Sequence, residues 1–326
     1  MPGADLESMS LQELIGLKDQ VGRILKARFE RPLALIFTDV VGSTRYVSTH
    51  GDVAGRELLR RHHDLLDHAL ARTSGRVVDR AGDGAFCVAD DVADGARILE
   101  RFQRLVLEDN RGLPRQDRLE VRSGLHAGPV LVDDKHVSGE AVHIAARIMG
   151  TAGAGEIRIS DAAFRDLPVA RRLLCRRLPP QAVKGVAEPL ELMLLDWRDT
   201  SRFPTVIEIV ECGTVELIPY QGRVSIGRLA THEGLAANDI VLVHPDPVLG
   251  QRISRWHAEL EMTLDGYVLS AKSRAGTEVD GLSIQEGESA PIRPGSTVRL
   301  GNVLTLRFQG PGSMQGPNTM GTMHGG

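Results

Sequence analysis

The spacing of apolar residues changes near residue 200 of this 326-residue chain. Before that point, runs typical of strands alternate with longer runs typical of helices, which predicts a sheet with helices packed over it. After it, short apolar runs are separated by turn residues about every eight to twelve positions, which is the pattern of a β-sandwich. The sequence therefore predicts an α+β domain over residues 31–198 and an all-β domain over residues 204–310.

Two end segments complete this organisation. Within residues 1–30, apolar side chains recur at steps of three and four at Leu14, Leu17, Val21 and Ile24. This spacing predicts an amphipathic helix, with Ser10 and Glu13 as a capping box at its start. The helix either packs on its own domain or pairs with a second helix as a short coiled coil. Residues 311–326 are rich in Gly, Met and Pro without periodicity and are predicted to be disordered.

Composition excludes several classes of function. The 39 basic and 43 acidic residues are interspersed and nearly balance, so the chain lacks the positive field that attracts nucleic acid. It contains no run of about 18 apolar residues that would span a membrane. The cysteines Cys87, Cys175 and Cys212 are odd in number and far apart, which fits neither a disulfide framework nor a paired zinc site. We therefore expect a cytoplasmic protein that binds neither nucleic acid nor a membrane.

Two aspartates of the first domain lie at predicted strand ends. Asp39 ends the apolar run LALIFTDV, and Asp83 lies in a Gly-Asp-Gly turn between two further apolar runs. The turn after Asp39 consists of Val41, Gly42, Ser43 and Thr44. Such a turn exposes N–H groups that can bind phosphates, and paired carboxylates can hold the accompanying cations. If the second turn lies beside the first strand, the two carboxylates form a two-metal site around a triphosphate.

The motifs around these aspartates resemble those of the class III nucleotidyl cyclases. The matching segments are FTDVVGST, GRVVDRAGDGAFCV, LEVRSGLHAGPV, GEAVHIAARI, GEIRIS and VKGVAEPLEL, in the family's order. The resemblance implies a ferredoxin-like sheet with helices on one side. It also implies a head-to-tail homodimer with active sites between subunits and two Mg²⁺ or Mn²⁺ ions per site. The implied reaction is attack of the ribose 3′-hydroxyl of ATP on the α-phosphate, which forms cyclic AMP and releases pyrophosphate.

The resemblance also assigns roles to individual residues. Asp39 and Asp83 of one chain hold the metal ions, and the turn from Val41 to Thr44 binds the triphosphate. The other chain supplies Arg147, which stabilises the pentavalent phosphorus. His143 of that chain stands where the family has an asparagine that positions the ribose. Histidine can still donate a hydrogen bond, so this substitution does not exclude activity.

The two positions that read the purine also depart from the family. Asp79 and His136 occupy them, where typical adenylyl cyclases have a lysine and an aspartate or threonine. Asp79 can accept from the adenine amino group while His136 donates to ring N1, but the same pair also fits guanine. Otherwise the purine site is loose or lost. The sequence thus predicts an adenylate cyclase, with a guanylate cyclase or a catalytically degenerate, nucleotide-binding adaptor as alternatives.

The second domain contains a candidate phosphate site. Arg228 ends a strand-like run, and Ser254 and Arg255 follow a later loop; an arginine and a hydroxyl together suit a phosphate group. With SRAGTEVDG and STVRLGN after it, this arrangement resembles the forkhead-associated (FHA) domain. The resemblance implies that Arg228 and Ser254 bind phosphothreonine, that Arg255 assists, and that His257 holds the loop structure.

One departure from the FHA pattern weakens this expectation. Ala275 stands where that family has an asparagine that bonds the peptide backbone, so peptide affinity is expected to be reduced. The remaining groups predict a phosphothreonine-containing protein as partner, which sets the location or activity of the cyclase. The alternative is a domain that no longer reads phosphate and packs against the first domain.

Overall fold

The computed structural model describes residues 6, 9–80, 82–133, 136–182 and 188–310. These form two compact units, one made of the residues up to Val106 together with Arg115–Trp197, and the other of Leu107–Pro114 together with the residues from Arg198 onward. The predicted disordered tail, residues 311–326, lies outside the described residues, as does the whole VKGVA segment, residues 183–187. Among the helices of the described residues, none combines the length and the hydrophobicity that a membrane span requires.

The chain begins with a capped amphipathic helix. Helix α1 spans Leu11–Phe29, and both bonds of the predicted capping box are present. The Glu13 N–H donates to Ser10 Oγ at 3.4 Å, and the Ser10 N–H donates to Glu13 Oε2 at 2.8 Å. None of its residues is buried. The predicted helix and its cap are therefore confirmed.

An eight-stranded sheet forms the centre of the first unit. Its strands are β1 Glu30–Val40, β2 Arg76–Asp79, β3 Gly84–Ala89, β4 Val121–Val132, β5 Val137–Ser138, β6 Ile157–Ser160, β7 Cys175–Arg177 and β8 Leu192–Leu195. They lie in the order β2-β3-β1-β4-β6-β8-β7, with β5 paired to β4. Strand β1 is central and runs antiparallel to both β3 and β4, and its residues from Ala34 to Ile36 are fully buried.

Helices cover both faces of this sheet. They are α2 Ser43–Leu70, α3 Val92–Asp109, α4 Glu140–Thr151, α5 Asp161–Asp166 and α6 Val169–Arg172, and a short 3-10 helix spans Arg115–Asp117. Helices α2 and α3 pack on the face that contains Ile36, whereas α4 packs on the opposite face, which contains Leu35. The expectation of helices on one side is thus wrong for α4. Gly124 allows this packing, because a Cβ there would lie 2.5 Å from the Met149 backbone nitrogen.

The second unit is built from two sheets and one short hairpin. Its strands are β9 Val206–Ile209, β10 Thr214–Leu217, β11 Arg223–Gly227, β12 Thr231–His232, β13 Leu235–Ala236, β14 Ile240–Val241, β15 Ala258–Thr263, β16 Gly266–Ala271, β17 Thr277–Val279, β18 Leu282–Ile284, β19 Ser289–Ile292, β20 Thr297–Leu300 and β21 Leu304–Gln309. The sheet orders are β10-β9-β21-β20-β17-β18 and β14-β11-β15-β16-β19, and β12 pairs with β13.

The core of this unit follows from alternation along the strands. In β15, every second residue is buried, as it is in β21. A period of two places one side chain in the core and the next on the surface. The helical elements are α7, Pro247–Gly250, and a 3-10 helix, Val210–Cys212. The predicted order of an α+β domain followed by an all-β domain is confirmed.

Candidate functional site

The two predicted metal ligands meet where strand β1 ends. The Val40 N–H donates to the backbone carbonyl of Asp83 at 3.2 Å, and Gly84 is the cross-strand partner of Asp39. Gly84 makes this approach possible, because a Cβ there would lie 2.5 Å from the carbonyl oxygen of Thr38. The Gly-Asp-Gly turn thus places the second carboxylate next to the first.

The two carboxyl groups influence each other's ionisation. Asp39 is 8% exposed, and burial raises its pKa; the Asp83 carboxylate raises it further, and hydrogen bonds from Arg122 only partly oppose this. Burial also raises the pKa of Asp83, but hydrogen bonds from Ser43 and its own backbone outweigh that effect, so the net shift is downward. Two neighbouring carboxylates with diverging pKa values form a site that favours a proton or a cation between them.

Arg122 is the third charged residue at this site, and it is not among the residues predicted from the sequence. It lies on β4 directly opposite Asp39, and its Nε donates to Asp39 Oδ2 at 2.8 Å. Nothing local in LEVRSG indicates this role, because only the register of β1 against β4 brings the two residues together. Arg122 therefore places a guanidinium group beside the Asp39 carboxylate, and this group can also bind an anion at the site.

The predicted phosphate-binding turn leads into helix α2. Gly42 is the N-cap, with φ of 74°, and no side chain caps the helix. The first N–H groups of a helix have no intrahelical acceptor, so those from Ser43 onward point out of its end. The Ser43 hydroxyl donates to Asp83. The Val41 N–H is already engaged, because it donates to the carbonyl of Glu120 at 2.8 Å.

His143 and Arg147 lie on helix α4, four residues apart and therefore on one face. His143 is exposed and Arg147 is partly exposed. Within the described part of the chain, neither side chain forms a hydrogen bond or an ion pair, with Asp39 or Asp83 or with any other residue. One chain by itself thus brings the two carboxylates together but not the groups on α4.

The predicted purine-reading residues are also separate from each other in one chain. Asp79 is exposed at the end of β2, opposite Phe86, whose ring stacks on Phe37 at 4.5 Å between centroids. The His136 N–H donates to Asp133 Oδ1 at 2.8 Å, and its ring Nδ1 lies 3.3 Å from the same oxygen. Nε2 is then the ring atom that a base can reach.

The carboxylates are suited to a hard divalent cation. Among residues with described positions, no cluster of three or more His, Cys, Asp or Glu side chains that could hold a metal occurs. Asp39 and Asp83 therefore form a two-carboxylate set. Mg²⁺ is commonly held by one or two carboxylates together with substrate phosphates and water, so this donor set fits such an ion.

The predicted phosphate groups of the second unit lie on two joined loops. The Arg228 N–H donates to the carbonyl of Ser254 at 3.1 Å. The side chains of Arg228 and Arg255 are exposed, and Ser254 is partly exposed. No hydrogen bond or ion pair of these three side chains occurs within residues 188–310. Two guanidinium groups and a hydroxyl without such partners therefore lie on adjacent loops.

His257 holds one of these loops in place. It is fully buried, and its Nδ1 accepts the Ser254 N–H at 3.1 Å. Its Nε2 lies 3.2 Å from Thr277 Oγ1. Burial lowers the pKa of His257, which keeps the ring neutral and Nδ1 available as an acceptor. This is the structural role that the sequence predicts for it.

Asn238 is a second residue that the sequence analysis missed. Its side chain is buried, and Nδ2 donates to the carbonyls of Leu229 and Arg255, both at 2.8 Å. One amide thus connects the loop after Arg228 with the loop that contains Ser254. Gly227 is needed at this junction, because a Cβ there would lie 2.2 Å from the Arg255 carbonyl oxygen. No local motif around Asn238 indicates this connection.

Comparison with known families identifies both units. A family model described as "Adenylate and Guanylate cyclase catalytic domain" matches residues 25–195, which is more than half of the chain. A family model described as "FHA domain" matches residues 224–301. The domains predicted from the sequence span residues 31–198 and 204–310.

Individual relatives cover part of the chain. "Putative adenylate cyclase 3" of Rhizobium meliloti (strain 1021) is 28% identical over 174 residues, which covers 53% of this chain and 30% of the relative. The serine/threonine-protein kinase pkn2 of Myxococcus xanthus is 30% identical over 130 residues, which covers 40% of this chain and 16% of the relative. This chain therefore spans less than a third of the length of either relative.

Solved structures of cyclases align with about half of the chain. An adenylate/guanylate cyclase/hydrolase from Silicibacter pomeroyi aligns with a TM-score of 0.44 and 27% identity, covering 51% of this chain and 96% of that chain. The adenylyl cyclase CyaB from P. aeruginosa aligns with a TM-score of 0.45 and 20% identity, covering 51% of this chain and 94% of that chain.

Proposed function

Since the chain belongs to the adenylate and guanylate cyclase catalytic domain family and carries an FHA domain, we propose that it converts ATP to cyclic AMP and pyrophosphate. The observation that supports this most directly is the contact of Asp39 with Asp83 beside the N-terminus of α2. Such a site offers carboxylates for cations and N–H groups for phosphates at one place.

The residues of one chain would hold the triphosphate in the following way. Asp39 and Asp83 would hold two Mg²⁺ or Mn²⁺ ions, which when bound would supply charge neutralisation for the phosphates and the developing oxyanions. The first N–H groups of α2 point toward the same place and favour an anion there. Arg122, which bonds Asp39, adds a positive charge beside the phosphates. In phosphoryl transfer such positioning and neutralisation contribute most of the catalysis.

A second copy of the chain would complete the site. His143 and Arg147 face outward from α4, so they are accessible to a partner subunit in a two-fold homodimer. Arg147 would stabilise the charge on the transferring phosphorus, a contribution of roughly 10³ to 10⁵ in rate for comparable arginines. His143 would donate to or accept from the ribose and orient its 3′-hydroxyl.

The base specificity is proposed to come from Asp79 and His136. Both are exposed, as expected for groups that meet a substrate held partly by another subunit. Asp79 would accept from the adenine amino group and His136 would face ring N1. The test is an Asp79→Ala, His136→Ala double variant, whose ratio of ATP to GTP turnover should fall toward one. An unchanged ratio with unchanged turnover would remove these residues from base recognition.

The cyclase activity is tested with the purified full chain, Mn²⁺ and either ATP or GTP. A cyclic product should form from ATP and should vanish in Asp39→Ala. Asp64→Ala serves as matched control, because Asp64 is an exposed aspartate paired with Arg60 on the surface of α2. Absence of product at high protein concentration, together with retained nucleotide binding, would favour the adaptor function over the enzyme.

The second unit is proposed to read phosphothreonine on a partner protein, which sets the location or activity of the cyclase. The support is the pair of guanidinium groups, Arg228 and Arg255, next to the hydroxyl of Ser254. Binding of phosphothreonine peptides should require the phosphate and should be lost in Arg228→Ala. Peptides that bind equally well with and without phosphate would contradict this function.

A further inference from the structure

A buried histidine interrupts the apolar face of helix α2. His62 is fully buried, and it lies one turn after Leu58 and one turn before Leu66, which are both buried as well. Residues four apart lie on the same face of a helix, so an aliphatic side chain at position 62 would continue this face into the core. Packing alone therefore does not explain why this position holds an imidazole.

The His62 ring is hydrogen-bonded to the strand that carries the first carboxylate. Its Nε2 lies 3.1 Å from Oγ1 of Thr38, a buried residue that directly precedes Asp39 on β1. Its Nδ1 has no hydrogen-bond partner among the described residues. Burial lowers the pKa of His62 to about 4, so the ring is neutral near pH 7 and contributes one donor and one acceptor. One of these two groups is therefore left unused.

This arrangement costs more stability than an apolar contact would. A buried polar atom without a partner destabilises a fold, whereas replacing both members of a buried hydrogen bond by apolar groups of similar shape can be nearly neutral. Ser123, the cross-strand neighbour of Thr38 on β4, adds a second such atom, because its buried Oγ also lacks a partner within the described ranges. Unsatisfied buried groups of this kind call for an explanation other than stability.

Helix α2 is connected to the second carboxylate as well. The helix contains a break at Gly51, where φ is 84°. Ser43 lies before the break and donates to the Asp83 carboxylate, whereas His62 lies after the break and bonds the residue next to Asp39. The two parts of α2 thus each hold one side of the carboxylate site.

We propose that His62 is a positioning residue that fixes the Asp39 carboxylate at the metal site by holding Thr38. Successive residues of a strand point to opposite faces of the sheet, so Thr38 points toward α2 and Asp39 points away from it. A hydrogen bond that fixes the Thr38 side chain therefore also fixes the direction in which Asp39 leaves the strand. This inference rests on the proposed cyclase function, because it assigns a metal ion to Asp39 and Asp83.

The test measures Mn²⁺ binding to the purified full chain by electron paramagnetic resonance of the free ion. His62→Leu should weaken Mn²⁺ binding about 10-fold, because residues behind a metal ligand contribute about 10- to 100-fold to affinity. Thr38→Val should weaken it as much, and the double variant no further, since His62 acts through Thr38. His62→Gln has an amide that can reach Thr38, so its Mn²⁺ affinity should stay within about threefold of the wild-type value.

Three further measurements separate positioning from stability. Leu66→Val removes a methylene group from the same buried face, so it should lower stability and leave Mn²⁺ binding unchanged. The double variant of Thr38 and His62 leaves no polar side chain at this contact, so it tests the proposal even if a single variant does not fold. In assays with ATP, His62→Leu should raise the Mn²⁺ concentration for half-maximal turnover about 10-fold and leave turnover at saturating Mn²⁺ within about threefold of the wild type.

The outcomes distinguish this role from the function on which it rests. Wild-type Mn²⁺ affinity in a folded His62→Leu protein or in the double variant would overturn the positioning role alone. So would a double variant whose loss of affinity equals the product of the two single losses. Failure of the wild-type chain to bind Mn²⁺, or Mn²⁺ binding that survives unchanged in Asp39→Ala, would reject the metal site, and with it both the proposed cyclase function and the role of His62.

Discussion

The two units present side chains of opposite charge at their proposed phosphate sites. In the cyclase unit, Asp39 and Asp83 present two carboxylates, and cations must mediate between them and a triphosphate. In the FHA unit, Arg228 and Arg255 present exposed guanidinium groups, which would bond a phosphate directly. The first arrangement suits chemistry at a reacting phosphorus, and the second suits recognition of a stable phosphoester. The difference therefore separates a proposed catalyst from a proposed reader within one chain.

The units also differ in how complete their sites are in one chain. The FHA loops are tied together by Arg228, Ser254 and Asn238 through hydrogen bonds of 2.8 to 3.1 Å. In the cyclase unit, His143 is exposed and Arg147 is partly exposed on α4, and neither forms a hydrogen bond or an ion pair with the carboxylates. We therefore expect phosphopeptide binding to be independent of protein concentration and cyclase turnover to fall as the dimer dissociates.

The strongest test of this difference is complementation between inactive variants. Asp39→Ala and Arg147→Ala should each lower cyclic AMP formation by about 10³ or more, because each removes a charged group at the reacting phosphorus. Mixing the two in equal amounts should restore about a quarter of wild-type turnover, since half of the dimers then contain one intact site. Cyclic product is measured after subunit exchange.

A mixture of Asp39→Ala with Asp83→Ala provides the matched control. Both residues belong to the same half of the proposed site, so no mixed dimer contains an intact one. Recovery of turnover in this control would contradict a site divided between two chains. So would the absence of recovery when Asp39→Ala and Arg147→Ala form mixed dimers.

The second test applies the same logic to the FHA unit. Arg228→Ala should weaken phosphothreonine-peptide binding about 100-fold, because a charge-assisted contact to the phosphate is lost. Mixing Arg228→Ala with Ser254→Ala should restore nothing, since both residues act in one chain. Binding is followed by fluorescence anisotropy at constant total protein. Recovery in the mixture would show a site shared between chains, and the contrast between the units would disappear.

Both resemblances recognised in the sequence, to the cyclases and to the FHA domain, are confirmed by the family matches. Asp39 and Asp83 could be singled out because the first ends an apolar run and the second lies in a turn between two apolar runs, and such local patterns are visible in a sequence. Arg122 and Asn238 could not, since strand register brings the first to Asp39 and loop closure brings the second to Arg255. Local patterns thus identify groups that carry chemistry, whereas the residues that position them depend on tertiary structure.

A third test compares how one buried histidine in each unit makes the free energy of unfolding depend on pH. His62 of α2 is fully buried; burial, with smaller contributions from His63 and Arg80, lowers its pKa to about 4. In the unfolded chain the pKa of this histidine is about 6.5. Its contribution to the free energy of unfolding is therefore fully present above that pH and is lost as the pH falls toward the pKa of the folded state. The cyclase unit should lose about 2 kcal/mol between pH 7 and pH 5 from this group.

Urea unfolding at the two pH values measures this loss. His62→Gln retains a polar partner for Thr38, which bonds the His62 ring at 3.1 Å, and it should flatten the pH dependence of the cyclase transition. His257 has the same direction of shift, so His257→Gln should act on the FHA transition instead. An unchanged pH dependence in His62→Gln would show that other groups control it.

The smallest expected effect concerns the amide that joins the two FHA loops. Asn238→Ala leaves the Leu229 carbonyl without its buried donor, whereas the Arg255 carbonyl still accepts the Leu229 N–H at 3.3 Å, so the cost is about 1 kcal/mol of stability. Peptide affinity should fall about fivefold as well, because the two loops lose a fixed spacing while the backbone bond between Arg228 and Ser254 remains. Asn238→Asp has nearly the same shape but no N–H to donate, so it should lose as much stability and peptide affinity.

Unchanged peptide affinity in a folded Asn238→Ala protein would mean that backbone bonds alone hold the phosphate site. Both variants should form cyclic AMP at the wild-type rate. Asn238 positions only the FHA loops of its own chain, and it has no part in the cyclase site that two chains are proposed to share.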